Sequence, residues 1–185
     1  MTGPIVLASG SPRRAAILEQ LGVAFEAVPA QVEEIETGDP RDAARENARR
    51  KARAVAEQRP GEPVLGVDTV VALGGRVLTK PADARQATEW LRELSGRTHT
   101  VLGGLCLVDR SPEREREALA STDVSFRELT ASDVSEYVAT GEWEGKAGGY
   151  AIQGRGAGLV RSVTGDFYNV VGLPVAVLLD LLRSS

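Results

Sequence analysis

The chain has 185 residues, 42% hydrophobic and 26% charged, which suits one globular domain with a real core and excludes a disordered chain. A formal net charge of -4 excludes a protein that coats nucleic acid or anionic lipid by bulk electrostatics, so any anion site must be local and built from a few placed cations. A single cysteine, Cys106, and a single histidine, His99, exclude an intrachain disulfide framework and a thiolate or imidazole zinc cluster, leaving a hard cation on carboxylates, Mg²⁺ or Mn²⁺, if a metal is used.

Ile5–Ala8 reads as a buried strand, followed by a tight turn and a helix from Pro12 to Leu21 that Gly22 ends. Val23–Pro29 reads as a second strand, and an alanine-rich, charged helix runs from about Pro40 to Gln58, where Pro60-Gly61 stops it. Val64–Leu73 is a β-branched strand, Gly74-Gly75 turns it into a short Arg76–Leu78 strand, and Ala84–Leu94 returns to helix. The second half reads as more antiparallel, with Thr98–Asp109 and Glu115–Arg127 pairing around Asp109-Arg110-Ser111-Pro112. Thr130-Ala-Ser-Asp133 fits a capping box that opens a helix to about Thr140. Glycines at 141, 145, 148, 149, 154, 156 and 158 then crowd a loop around Tyr150-Ala-Ile-Gln153, and a helix with an apolar leucine face closes the chain from Pro174. No repeat or linker divides the sequence. It is expected to form one mixed α/β domain over residues 1–185, a mixed sheet with flanking helices making two lobes around a substrate cleft.

Chemistry first suggests itself at Ser9-Gly10-Ser11-Pro12-Arg13-Arg14. A strand feeding a helix start through a glycine turn is an anion site, and two arginines make it a phosphate clamp. The plainer alternative is two solvated arginines and a capping Ser11, since the helix dipole disfavours cations there. Asp68, in Gly66-Val-Asp-Thr-Val-Val71, is costly to bury among valines without a partner. It reads as a metal ligand or a base for water, against a structural, hydrogen-bonded aspartate. Strand alternation puts it on the face of Gly66 and Val70, with Thr69 on the other. Lys80 is held at an element end before Pro81. Lys51 lies in the run Arg49-Arg-Lys-Ala-Arg53, which taken alone reads as a solvated helix face. Glu34 lies in an acidic loop with Glu33 and Glu36, either solvated or ligating. His99 reads as a packed structural residue, and Tyr137, Trp143 and Tyr150 as core or base-stacking groups. Four cations and two or three acids beside turns and strand ends suit a metal–polyphosphate substrate, where neutralising charge is most of the catalysis.

Leu7-Ala-Ser-Gly-Ser-Pro-Arg-Arg14, Gly66-Val-Asp-Thr-Val-Val71, Lys80-Pro81, Leu94-Ser-Gly-Arg-Thr-His99, Gly145-Lys-Ala-Gly-Gly-Tyr-Ala-Ile-Gln153 and Gly165-Asp-Phe-Tyr-Asn-Val-Val-Gly-Leu-Pro174 occur in this order. Together, from Val6 to Leu182, the sequence resembles the Maf family of nucleoside triphosphate pyrophosphatases. The resemblance implies an α/β fold with a cleft, commonly a homodimer, and metal-dependent hydrolysis of a nucleoside triphosphate to monophosphate and pyrophosphate, a nucleotide house-cleaning role. It implies that Asp68 is the proton acceptor, that Arg13, Thr69 and Gln153 bear on substrate selection, and that Ser9, Arg14, Glu34, Lys51 and Lys80 are further cleft residues. The loop ending in Gln153 is similar to the branch acting on dTTP and UTP; the branch acting on 7-methyl-GTP usually ends in a glutamate. Val67 and Gly103-Gly104 depart from the family's usual alanine and threonine-containing pair.

On this reading Glu34 and Asp68 hold the metal, Arg13, Arg14, Lys51 and Lys80 spread the triphosphate charge, and Gln153 meets the imide edge of uracil or thymine. The alternatives are hydrolysis of 7-methyl-GTP, a nucleotide-sensing protein acting in cell-division arrest, and nucleotidyl transfer to a sugar phosphate. No nucleic acid or membrane partner is expected. Met1-Thr-Gly-Pro4 carries no basic leader and no apolar run approaches the ~20 residues of a bilayer span, so the expected location is the cytoplasm.

Overall fold

A computed structural model describes residues 3–109 and 114–183. Seven strands form one mixed sheet: β1 (Ile5–Ala8), β2 (Phe25–Ala27), β3 (Val64–Leu73), β4 (Arg76–Leu78), β5 (Thr98–Val108), β6 (Glu115–Phe126) and β7 (Val160–Thr164). The helices are α1 (Pro12–Gln20), α2 (Pro40–Ala56), α3 (Ala84–Leu94), α4 (Ala131–Val138), α5 (Phe167–Val171) and α6 (Val175–Arg183), with 3₁₀ turns at Ala147–Gly149 and Gly154–Leu159.

The strand order is β2-β1-β3-β5-β6-β7, with β4 also on β3. β1 is parallel to both β2 and β3, and the later pairings are antiparallel. α1 carries the chain from β1 to β2 on one side of it, and α2 carries it from β2 back past β1 to β3 on the other side, with the two helices on opposite faces of the sheet. On the α1 face, Leu18, Leu91, Leu94, Phe126 and Leu178 join one core with Val67 and Val71. On the other face α2 brings Ala48, Ala52 and Val55 against Val6, Val64 and Cys106. That placement puts a switch in strand connectivity between β1 and β3, where open α/β sheets bind ligands beyond their strand ends.

Helix α2 packs unusually close to the sheet because its inner residues are alanines over glycines. A Cβ on Gly66 would lie 2.1 Å from the Ala48 carbonyl oxygen, and one on Gly104 would lie 2.0 Å from that of Ala44. Gly103 faces the other way, where a Cβ would meet Asn169 Oδ1 at 2.0 Å. The Gly103-Gly104 pair is thus a packing requirement on both faces of β5.

The strong strands and helices match the sequence reading, and the Thr130–Asp133 capping box is present. β2 is shorter than the expected Val23–Pro29, being an edge strand of three half-buried or exposed residues. The structure adds β7 and α5, which the glycine crowding conceals; Asp166 caps α5 by accepting from the Tyr168 and Asn169 amides. Of the expected β5–β6 turn, residues 110–113 lie outside the described residues. No helix among the described residues is long and apolar enough to cross a membrane.

Candidate active site

The two ends of β3 share one edge between different partners. β1 pairs as far as Gly66, and β4 pairs only from Val71 onward. The intervening stretch, which holds Asp68 and Thr69, is left without a neighbour on that side, and the chain that leaves β1 through Ser9 opens away from it. Around this gap lies a cleft of about 570 Å³, lined from both sheet faces and by the glycine-rich loop. Every residue named in the sequence reading as a site candidate lines it: Ser9, Arg13, Arg14, Glu34, Lys51, Asp68, Thr69, Lys80 and Gln153.

Asp68 and Thr69 point to opposite faces, as alternation requires, and each meets a different helix. Asp68 is 5% exposed and faces α2, where Lys51 Nζ donates to its Oδ1 at 2.6 Å. The same ammonium donates to Glu34 Oε1 at 2.5 Å, and Lys80 Nζ donates to Glu34 Oε2 at 2.6 Å. Four charged groups from the 33–36 loop, α2, β3 and the end of β4 thereby form one chain of ion pairs. Burial pushes the Glu34 carboxyl up, but hydrogen bonds from Lys51 and Lys80 outweigh it and bring it down to about 2.

Lys51 is where the sequence reading needed its context. Arg49, Arg50 and Arg53 do form surface pairs, with Glu46 and Glu115, but Lys51 turns inward. The buried stripe of α2 is Ala43-Ala44, Asn47-Ala48, Lys51-Ala52 and Val55, a helical period legible in the sequence. A lysine and an asparagine on that stripe signalled buried polar partners. Asn47, missed as a site residue, donates to Asp68 Oδ2 at 3.1 Å.

On the α1 face, Arg14 is fully engaged. Its Nη1 donates to Ser9 Oγ at 2.8 Å, its Nη2 to Thr69 Oγ1 at 3.1 Å and its Nε to the Gly172 carbonyl at 2.9 Å. Burial lowers its pKa, opposed by the charge of Asp68. Arg14 therefore holds β1, β3 and the end of α5 together behind the turn. Ser11, which the plainer alternative made a cap of α1, makes no side-chain cap; its amide instead donates to Ser9 Oγ at 3.2 Å.

Arg13 differs from its neighbour. Its Nε is buried without a partner, and desolvation lowers its pKa. Across from it the sequence reading missed Lys146, whose pKa is lowered first by burial and then by the Arg13 charge. Among the described residues, Lys146 Nζ donates to a neutral group, the Glu144 carbonyl, at 2.8 Å. Its only signal was its place in the loop Gly145-Lys-Ala, where Gly148 takes φ +69° and packs on Val71. This wall of the cleft thus presents positive charge, while the α2 wall has its charges paired. Gln153 is exposed at the rim.

His99 is structural, as expected. It is 2% exposed, its Nε2 shares a 2.7 Å hydrogen bond with Tyr150 Oη, and it packs edge-on against Phe126. Burial brings its pKa down to about 4, so it is neutral. Tyr137 and Tyr150 are core groups, the former accepting from the Ala151 amide.

For a divalent cation, Glu34 and Asp68 are a pair of hard oxygen donors already converging on one cationic atom, Lys51 Nζ. That donor set fits Mg²⁺ or Mn²⁺, which use one or two carboxylates and complete their shell with phosphate oxygens and water. A different group, Cys106 with Glu115 and Glu117, brings three potential ligand atoms within 4.8 Å, away from the cleft lining. There burial and the two carboxylates push the thiol up to about 12, and Arg53 and Arg49 already pair with the acids.

Comparison with known proteins gives the same direction. The family described as Maf-like protein matches residues 4–185. A Deinococcus radiodurans protein named dTTP/UTP pyrophosphatase is 47% identical over 182 residues, covering 98% of this chain and 92% of its own. Proteins of the same name from Nitratidesulfovibrio vulgaris and Rhodospirillum rubrum are 50% and 49% identical, covering 97% and 94% of this chain and 86% and 84% of theirs.

Proposed function

This chain belongs to the Maf-like family, and from that premise we propose that it hydrolyses nucleoside triphosphates, dTTP and UTP foremost, to the monophosphate and pyrophosphate. One observation carries the reading: two carboxylates from distant segments, Glu34 and Asp68, meet on Lys51 in a cleft whose other wall is cationic.

The triphosphate lies along the Ser9–Arg14 turn. Arg13, Lys80 and Lys146 meet its oxygens, while Arg14 keeps the turn in shape and adds positive charge behind it. As phosphate arrives, Lys51 turns from Asp68 to the new anion and leaves Asp68 Oδ1 free. That oxygen orients a water toward the α-phosphorus and accepts its proton. The water oxygen bonds to phosphorus, and the bridging oxygen leaves with the electron pair as pyrophosphate, its charge met by the same cations. Glu34 and Asp68 would hold Mg²⁺ or Mn²⁺, which when bound supplies Lewis acidity to the phosphate oxygens. Gln153 offers a donor and an acceptor to the imide edge of thymine or uracil, and a base that leaves them unpaired is rejected. The reading extends to a homodimer in the cytoplasm, which sedimentation and fractionation measure.

The test is a panel of dTTP, UTP, CTP, dATP, GTP and 7-methyl-GTP with Mg²⁺ or Mn²⁺, scored for monophosphate and pyrophosphate. Release from dTTP and UTP is expected. Asp68→Asn keeps the shape, and its kcat should fall by about 10²-fold or more; retention of most activity removes Asp68 from its role.

A further inference from the structure

We propose that Asn47 is a positioning residue of this cleft, tying the loop that carries Glu34 to the carboxylate of Asp68 and so setting where the two acids stand relative to each other. The proposal rests on the hydrolase reading above.

Asn47 is 2% exposed and sits one helical turn before Lys51 on the buried stripe of α2. Its Oδ1 accepts from the Ile35 amide at 2.7 Å. Its Nδ2 donates to the Ile35 carbonyl at 3.1 Å and to Asp68 Oδ2 at 3.1 Å. The Ile35 amide is a donor only, so it fixes which way the carboxamide faces, and the nitrogen has to turn to Asp68. Two bonds to one backbone residue clamp the loop beside Glu34, and the third reaches across to β3. From one helix face, Asn47 and Lys51 thus grip the two oxygens of Asp68, Oδ2 and Oδ1 respectively. When Lys51 releases Oδ1 to the reaction, the Asn47 bond still fixes the carboxylate plane.

No apolar residue at position 47 reproduces this, and aspartate reproduces only the bond that accepts from Ile35. The pair Asn47→Leu and Asn47→Asp therefore separates loop clamping from the link to Asp68. The experiment measures kcat and KM for dTTP, thermal midpoints, and hydrogen exchange at the Ile35 amide. Both variants should lose about 10- to 100-fold in kcat, the range for partners that orient a reactive ligand, with KM within about threefold of the wild type. The Ile35 amide should exchange slowly in wild type and in Asn47→Asp, and fast in Asn47→Leu.

A kcat for Asn47→Asp within about twofold of the wild type would overturn the link to Asp68. Equal exchange at Ile35 in wild type and Asn47→Leu would overturn the clamp. If Asn47→Leu does not fold, the isosteric Asn47→Asp carries the kinetic test and wild-type protection at Ile35 carries the other. A wild-type protein that releases no pyrophosphate sinks the hydrolase reading instead, and the exchange comparison still judges the clamp.

Discussion

Lys51 donates to Asp68 and Glu34 at once while its own side chain is 10% exposed, so its removal leaves the buried Asp68 with only the neutral Asn47 donor and Glu34 with Lys80 alone. Breaking such a buried pair from one side costs about 3 kcal/mol. Lys51→Met should therefore lower stability by about that amount in urea titration at neutral pH, as well as abolish most triphosphate hydrolysis. His99 makes a second prediction, in pH. Its pKa is lowered from 6.5 to about 4 in the fold, so between those values the unfolded chain binds the extra proton. Stability is unaffected above pH 6.5 and falls as pH drops through the window to about 4, by about 3 kcal/mol. His99→Gln, which keeps a hydrogen bond to Tyr150 in reach, should flatten that slope in unfolding measurements; an unchanged slope would assign it to other groups.

Helix α2 carries Asn47 and Lys51 to the site, and its height above the sheet depends on glycine. Because a Cβ on Gly104 would stand 2.0 Å from the Ala44 carbonyl, Gly104→Ala has to lift the helix or bend β5. Overpacking of this kind costs about 1–3 kcal/mol. Gly104→Ala should lower the thermal midpoint and, measured at a temperature where it is still folded, lower kcat as well, since the lifted helix carries Lys51 away from Asp68. A substitution that lowers stability alone would show that the cleft tolerates movement of α2. Element by element, the sequence was most legible where local signals agree. β3 begins and ends at the residues read from its β-branched run, and α3 and β4 do likewise. β7 and α5 were not legible, because short segments among glycines have weak periodicity and take their form from β6 and the core.

Across the whole molecule, the cleft balances its acids internally: Lys51 and Lys80 occupy Glu34, and Lys51 and Asn47 occupy Asp68. The fold therefore does not depend on a bound metal to keep two carboxylates together. Chelation should abolish pyrophosphate release while leaving the thermal midpoint within a few degrees, as scanning calorimetry with and without EDTA would measure. A large drop in the midpoint would mean that the cation, and not Lys51, holds the acids in the folded protein.

By itself, the sequence determined the order of most elements and the charge types beside their ends, since these follow from local propensity and alternation, and its six ordered motifs carried the resemblance to the family that the family model matches. It also placed Asp68 and Thr69 on opposite faces, a consequence of strand geometry alone. Only the tertiary structure decided which cations are engaged and which are open. Arg13 and Arg14 are adjacent and chemically identical, yet one is tied to Ser9, Thr69 and Gly172 and the other faces the cleft with an unpartnered Nε. Likewise Lys51 lies amid solvated arginines in the chain but between two acids in space. The reason is that pairing energy depends on distances of a few ångströms between residues far apart in sequence, and only the packing of α1 and α2 on opposite faces of the sheet sets those distances.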